Sequence, residues 1–378
     1  MIQRFFEEAD RLNSAYKQFL VDICGISSKS DDKPGVDRVC DYCESFAAGM
    51  GYAVVREKIK GSGDVMSATL NPNAEGKPVC LSAHMDTVHP KDSFGITERG
   101  DILVGPGVYD CKGGIAVSFL VLETLRNCGY TSRPVKVILQ SDEEVQSLPS
   151  DKKTVEFMCR EAAGAQAFIN CEGRVSGSIT TSRKGILRYM YDITGIPVHA
   201  GTYFGGASAV REAAYKIIEL ESRSKEGGIT YNCGIVEGGT VMNTVPAACR
   251  VYIDIRVRTS DDVTEAEKTL YEVGNRVFVP GTVTRTLKMS SRPPMERTPA
   301  NADLFAHISA AAEKHGLGSY TELFAFGGSD AAYTTIAGIP TVDDLGPLGG
   351  DYHTESEWIS VRSLSESAKI IIAYLLEN

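Results

Sequence analysis

Residues Lys77 to Pro90 read KPVCLSAHMDTVHP, and this stretch decides the fold. Its first half is an apolar run without polar alternation, the pattern of a strand covered on both faces of an α/β sheet. It stops at His84, and Asp86 follows two residues later. If the strand continues, the two side chains point the same way, because strand side chains alternate with period two. A buried strand that ends in histidine and aspartate needs a chemical reason.

Two more runs share the pattern. VKVIL at 135–139 leads into SDEEV, and AQAFIN at 165–170 leads into CEG. Asp142, Glu143, Glu144 and Glu172 therefore sit where His84 sits, at the carboxyl ends of central strands. Ligands of open α/β sheets bind beyond those ends. Asp110 from GPGVYDCKGG and His353 from GGDYHTESEWI complete a mixed set of imidazoles and carboxylates. Such a set suits zinc, cobalt or manganese better than calcium. Singly, each piece has an ordinary reading: a hydrogen-bonded histidine at a strand end, or glutamates on a solvated turn. GPGVYD resembles a phosphate-cradling turn, but Asp110 stands where the dinucleotide fingerprint needs its last glycine. That counts against a nicotinamide-dependent oxidoreductase.

Outward from the centre, Phe5, Ala9, Leu12, Tyr16, Phe19 and Ile23 recur at helical steps, predicting an amphipathic first helix. Val36, Val39, Cys40, Cys43, Phe46, Ala47 and Met50 form a second stripe, so the C-x-x-C pair reads as core; this helix is expected to end at Gly51. YAVVRE and MSATL read as strands, and Gly114 to Cys128 as a helix. Near Ser182 the pattern changes to strand, helix, strand, strand, helix, strand, the order of a ferredoxin-like unit. It ends at SSRPP, read as a linker, after which alternation resumes up to a helix capped by Ser360. The expectation is a larger α/β domain (1–181 and 294–378), which the resemblance named below makes the catalytic one, with a mixed, mostly parallel sheet flanked by helices. A βαββαβ domain (182–293) is inserted into it.

A net charge of −10 and a pI near 5.3 disfavour a nucleic-acid backbone or an anionic membrane surface as partner. No run approaches the roughly 18 apolar residues of a membrane span. The amino-terminal stretch does not read as a secretory signal. Ten dispersed cysteines fit a reduced, cytoplasmic protein.

The stretches SAHMDTV, GPGVYDCKGG, SDEEVQS, CEGR, TGIPVHAGTYFGGASAV, MNTVPAACRVYIDIR, FGGSDAAY and GGDYHTESEWI resemble a known family, in its order and across nearly the whole chain. It is the di-metal amidohydrolase family of glutamate carboxypeptidase, succinyl-diaminopimelate desuccinylase, acetylornithine deacetylase and peptidase T. The resemblance implies two divalent metal ions, most often zinc, with cobalt or manganese as options. His84 and Glu172 would hold one ion, Glu144 and His353 the other, and Asp110 would bridge them. Asp86 would orient His84, and Glu143 would be the general base. The inserted domain would be a dimerising lid that lends His199 to the partner subunit's oxyanion. Arg256, helped by Asn243 and by backbone donors at Gly328 and Ser329, would clamp a substrate carboxylate; Lys184 is a weaker candidate. By ordinary readings His199 is a surface turn residue and Arg256 a salt-bridged arginine. His89, His307 and His315 match no role.

Two departures stand out. Cys111 replaces a common methionine and Gln146 a common glycine, and neither is expected to touch the ligand set. Glu172, CEGR and GIPTVDDLGPLGGDYH look closest to the glutamate carboxypeptidase branch, which implies a small peptide or N-acyl amino acid substrate with a free carboxylate. The alternatives are a peptidase T-like aminopeptidase and a catalytically silent metal-binding dimer.

Overall fold

The computed structural model describes residues 2–91 and 93–378 and divides them into two compact units. The first comprises residues up to Ser182, Arg297–Phe324 and Tyr333–Asn378. Along it run α1 (Ile2–Cys24), α2 (Lys33–Gly49), β1 (Ala53–Glu57), β2 (Val65–Leu70), β3 (Val79–His84), β4 (Thr97–Arg99), β5 (Ile102–Val104), α3 (Lys112–Asn127), β6 (Val135–Gln140), α4 (Lys153–Glu161), β7 (Ala167–Asn170) and β8 (Ser178–Arg183). The second unit contains β9 (Gly185–Thr194), α5 (Ala209–Glu221), β10 (Thr230–Gly238), β11 (Ala248–Val257), α6 (Ser260–Asn275) and β12 (Val283–Arg292). After it come α7 (Pro299–Lys314), β13 (Thr321–Ala325), α8 (Ala331–Ile336), β14 (Thr341–Val342), β15 (Gly349–Gly350), β16 (Trp358–Ser360) and α9 (Arg362–Glu377).

The main sheet runs β1-β2-β6-β3-β7-β14. β6, β3, β7 and β14 are mutually parallel, while β1 and β2 add an antiparallel edge. The apolar runs are indeed central, and their alternate residues serve opposite faces. Val79, Leu81, Ala83, Val135, Val137, Leu139, Ala167 and Ile169 pack in the core formed with α1, α2, α3, α7 and α9. Cys80, Ile138 and Phe168 join the core formed with α4, including Phe157 and Met158. Cys40 and Cys43 are completely buried in the first core, and all ten cysteines are free. Gly114 lets α3 approach β7, since a Cβ there would lie 2.0 Å from the Cys171 carbonyl oxygen.

Several boundaries differ from expectation. β3 stops at His84: the Met85 N–H still reaches the Gln140 carbonyl (2.8 Å), but the chain then bends. The run SSR belongs to β12, so the break begins only at Pro293. Ser360 does not cap the last helix but ends β16. Asp101 does the capping, accepting from the Arg362 N–H (3.0 Å) and the Ser360 hydroxyl (2.6 Å). The small sheet β15-β16-β5-β4 was not foreseen, because strands of two or three residues carry too little periodicity to read.

The second unit spans Arg183–Glu296 and takes in Ala325–Ala332. Its antiparallel sheet, ordered β10-β11-β9-β12, with α5 and α6 between strands, has the split βαβ arrangement. On β11, Val251, Ile253, Ile255 and Val257 are buried, while Arg250, Tyr252, Asp254 and Arg256 are not. α5 is tied to the end of α6 by a fully buried ion pair. The Lys216 ammonium lies 3.0 Å from Glu212 and donates to the Val273 and Gly274 carbonyls, both at 2.9 Å. Glu212 in turn accepts from the Phe278 and Val279 N–H groups. Lys216→Met leaves that carboxylate buried without its cation. We expect a loss of about 3–5 kcal/mol, measured as a lower urea midpoint; an unchanged midpoint would refute the tie.

Candidate metal centre

Register brings the three strand ends together. His84 on β3 stands opposite Gln140 on β6, so Glu143 and Glu144 come three and four residues beyond it. Ser82 stands opposite Asn170 on β7, which puts Glu172 level with His84. The Cys171 N–H seals that neighbour, donating to the Ser82 carbonyl at 2.7 Å.

His84 is buried. Its Nδ1 lies 2.9 Å from the Asp86 main-chain oxygen and 3.3 Å from the Asp86 carboxylate. A hydrogen on Nδ1 satisfies those acceptors and leaves the Nε2 lone pair facing Asp110 Oδ1 (2.9 Å) and Glu172 Oε1 (3.6 Å). Asp86 has no exposed surface and also accepts from the Ser30 hydroxyl (2.7 Å) and the N–H groups of Glu143 (3.1 Å) and Glu144 (3.2 Å). One buried carboxylate thus anchors both the imidazole and the acidic turn. Burial pushes its pKa up, but His84, Ser30 and the Glu143 N–H more than offset this and hold it below the usual range.

Asp110 stands between two imidazoles. Its Oδ1 faces His84 Nε2, and its Oδ2 faces His353 Nε2 at 3.2 Å. Burial opposes ionisation, yet His353 and His84 keep the Asp110 carboxyl well below the ordinary carboxylate range. His353 Nε2 also lies 3.1 Å from Glu144 Oε2. Contacts with Asp110 and then Glu144 raise the His353 pKa to about 10. His353 holds φ +64, a left-handed backbone conformation that costs a non-glycine residue about 1–3 kcal/mol and collects at functional sites.

The surplus of acid shows in the other carboxylates. Burial, aided by the Asp110 charge and opposed by His84, raises the Glu172 carboxyl well above its normal value. Burial raises Glu144 to about 7 despite its bond to His353. Glu144 Oε1 is buried with no hydrogen-bond partner among the described residues. Donor atoms of His84, Asp110 and Glu144 lie within 4.8 Å of one another, and so do those of His84, Cys111 and Glu172. An orphaned carboxylate oxygen among converging nitrogen and oxygen donors fits a divalent cation. Cys111 corrects the reading that it stays clear of the ligand set. Its thiol lies together with donor atoms of His84 and Glu172, all within 4.8 Å of one another. Gln146 is buried nearby in the chain, at φ +58.

The remaining candidates lie in the second unit. His199 is exposed and caps the 3-10 turn Ala200–Gly205, its Nδ1 accepting from the Gly201 N–H at 3.1 Å. Its neighbour Ala200 donates to the Asn243 carbonyl (2.9 Å). Arg256 is partly exposed and paired with Asp254 on its own strand at 2.6 Å. Ser329 is buried and accepts from the Ala331 N–H, and Gly328 lies against Arg292, where a Cβ would come within 2.9 Å of Arg292 Cδ. The Lys184 ammonium sits 5.4 Å from the centre of the Phe326 ring.

The decisive comparison covers most of the chain: residues 80–377 match the profile of peptidase family M20/M25/M40. The chain belongs to that family. Carboxypeptidase G2 of Pseudomonas sp. (strain RS-16) is 27% identical over 382 residues, covering 97% of this chain and 91% of that enzyme. The aminopeptidase PepT of Bacillus cereus superimposes with a TM-score of 0.80 at 21% identity, covering 97% and 98% of the two chains. The M20 metallo-carboxypeptidase Sso-CP2 of Sulfolobus solfataricus gives 0.71 at 18% identity, covering 95% and 98%. At those identities the two structures speak for the fold. As an M20/M25/M40 member with this donor set, the protein is a metal-dependent hydrolase of the peptidase and amidohydrolase type. Among the described residues no helix is long and apolar enough to cross a membrane.

Proposed function

We propose that the protein cleaves the amide bond of a small peptide or N-acyl amino acid bearing a free carboxylate, using two divalent ions, zinc foremost with cobalt or manganese as options. The observation that carries this reading is the division of Asp110, one carboxylate oxygen toward each imidazole, with Glu172 beside one and Glu144 beside the other. His84, Asp110 and Glu172 would hold one ion, and His353, Asp110 and Glu144 the other. When bound, the ions supply Lewis acidity that acidifies water and polarises an amide carbonyl.

The chain's own groups do the rest. Glu143 takes a proton from the attacking water and passes it to the leaving nitrogen as the C–N bond breaks. Asp86 holds the Glu143–Glu144 turn and the His84 ring in one frame. The Gly201 N–H donates to His199 Nδ1, which leaves Nε2 as the donor nitrogen, suited to a developing oxyanion in the partner subunit. Arg256, with Asn243, Gly328 and Ser329, receives the substrate carboxylate; this requires Arg256 to exchange its Asp254 partner for the ligand. We assign catalysis to residues 1–181 and 294–378, and lid and dimer formation to 182–293, in a cytoplasmic homodimer.

Amine release by the purified protein, with and without added zinc, cobalt or manganese, tests the reading. The panel holds C-terminal glutamyl peptides, their carboxyl amides, N-acyl amino acids and free-amine tripeptides. Expected is metal-dependent turnover of the acids over their amides by at least tenfold. Preference for the tripeptides would replace the reading with an aminopeptidase, and inertness on all members despite metal uptake would favour the silent binding module.

A further inference from the structure

Glu357 lies four residues beyond His353 and immediately before β16. β16 pairs antiparallel with β5, Trp358 opposite Val104, so Glu357 falls beside Gly105, where the loop to Asp110 begins. The Gly105 N–H donates to its main-chain oxygen at 3.1 Å. The Glu357 side chain has no exposed surface and turns into the same loop. Its Oε1 accepts from the N–H groups of Tyr109 (2.8 Å) and Asp110 (2.9 Å). Its Oε2 accepts from the Gly107 N–H (3.1 Å) and faces His89 Nε2 at 2.6 Å.

A carboxylate so deeply buried is costly unless it is fully hydrogen-bonded, and four donors converge on this one. Gly107 makes the convergence possible: at φ +74 it turns its amide inward, and a Cβ there would come within 2.7 Å of Thr87 Cγ2. His89, itself buried, braces the carboxylate from the far side, its ring edge against Phe94. Both carboxylate oxygens are thus occupied within the loop, which argues against Glu357 as a metal ligand.

We propose that Glu357, braced by His89, is the positioning residue for Asp110: it clamps the 105–110 loop by its amides and so sets where the Asp110 carboxylate stands between His84 and His353. The inference rests on the reading of Asp110 as the shared ligand. A clamp on a ligand's own backbone acts as an outer-sphere partner, and loss of such partners costs roughly 10–100-fold in metal affinity.

The test titrates the full chain with Co(II), followed by visible absorption, and with Zn(II) against a competing chelator. Glu357→Gln keeps the shape but sets an amide NH2 against backbone donors. It should lose about 10–100-fold in affinity and shift the Co(II) bands. His89→Gln, which keeps a donor to Oε2, should stay close to wild type, and His89→Leu should fall between. Phe119→Leu, a completely buried helix residue distant in function, controls for general destabilisation and should leave affinity unchanged. If Glu357→Gln does not fold, His89→Leu carries the decision. Wild-type affinity and bands in the deciding variant, or a loss no greater than that of Phe119→Leu, overturn the positioning role. A wild-type chain that takes up no metal overturns the proposed function with it, whereas two-ion uptake indifferent to Glu357 overturns the clamp alone.

Discussion

Glu143→Gln is expected to lower kcat by about 10²–10⁴-fold, the usual worth of a positioned general base, with metal content unchanged. The physical reason is local. The Glu143 backbone N–H is held by Asp86 Oδ1 at 3.1 Å, a bond the side chain does not make, so the turn keeps its course in the variant. Glutamine has the same shape as glutamate but cannot accept the proton of the attacking water. KM should therefore move little while kcat collapses. Steady-state kinetics beside metal analysis decides the matter: a fall of less than tenfold, or a parallel loss of bound metal, would remove Glu143 from the role of base.

Asp110→Asn should be the most damaging change to metal uptake. One oxygen of Asp110 faces His84 and the other faces His353, so an amide keeps one ligand oxygen on one side and turns an NH2, which has no lone pair for a cation, toward the other. Outer-sphere partners already cost 10–100-fold when lost, so removal of a shared inner ligand is expected to cost more than about 100-fold. Both ion positions should weaken. Glu172→Gln, by contrast, should weaken one position, and Glu144→Gln the other. Calorimetric titration with zinc separates these cases by stoichiometry. Two ions bound by Asp110→Asn at wild-type affinity would end the bridging assignment.

Much of this centre was legible because its chemistry is tied to strand ends. KPVCLSA, VKVIL and AQAFIN are apolar on both faces, and only a central strand of a covered sheet can use such a run. Their carboxyl ends meet because the strands are parallel neighbours, so the acids that follow each run meet as well. The helical stripes of α1 and α2 were equally readable, since their period of 3.6 repeats over many residues. Cys111 was misread because its departure from the family's usual methionine says nothing of which groups the folded chain brings beside its thiol. Ser360 was misread because a better acceptor, Asp101, arrives from 259 positions away.

His89 and Glu357 show the limit most clearly. They stand 268 positions apart; His89 matches no role, and Glu357, though within the GGDYHTESEWI stretch, has no periodic pattern and no role assigned to it by the resemblance. Arg256 shows a subtler one: its place on the polar face of β11 was plain from alternation, but its engagement with Asp254 depends on which rotamer the folded neighbourhood favours.

By itself the sequence determined the element types, the covered central sheet, the inserted split unit and the residue types gathered at the strand ends. Local periodicity and the parallel rule of βαβ chains suffice for that. Only the tertiary structure decided the two-sided placement of Asp110, the double anchoring by Asp86, the nearness of Cys111 and the clamp of Glu357. Each of these joins atoms from segments brought together by register and burial, and in a low-dielectric interior a shift of an ångström separates a partner from an unpaired charge.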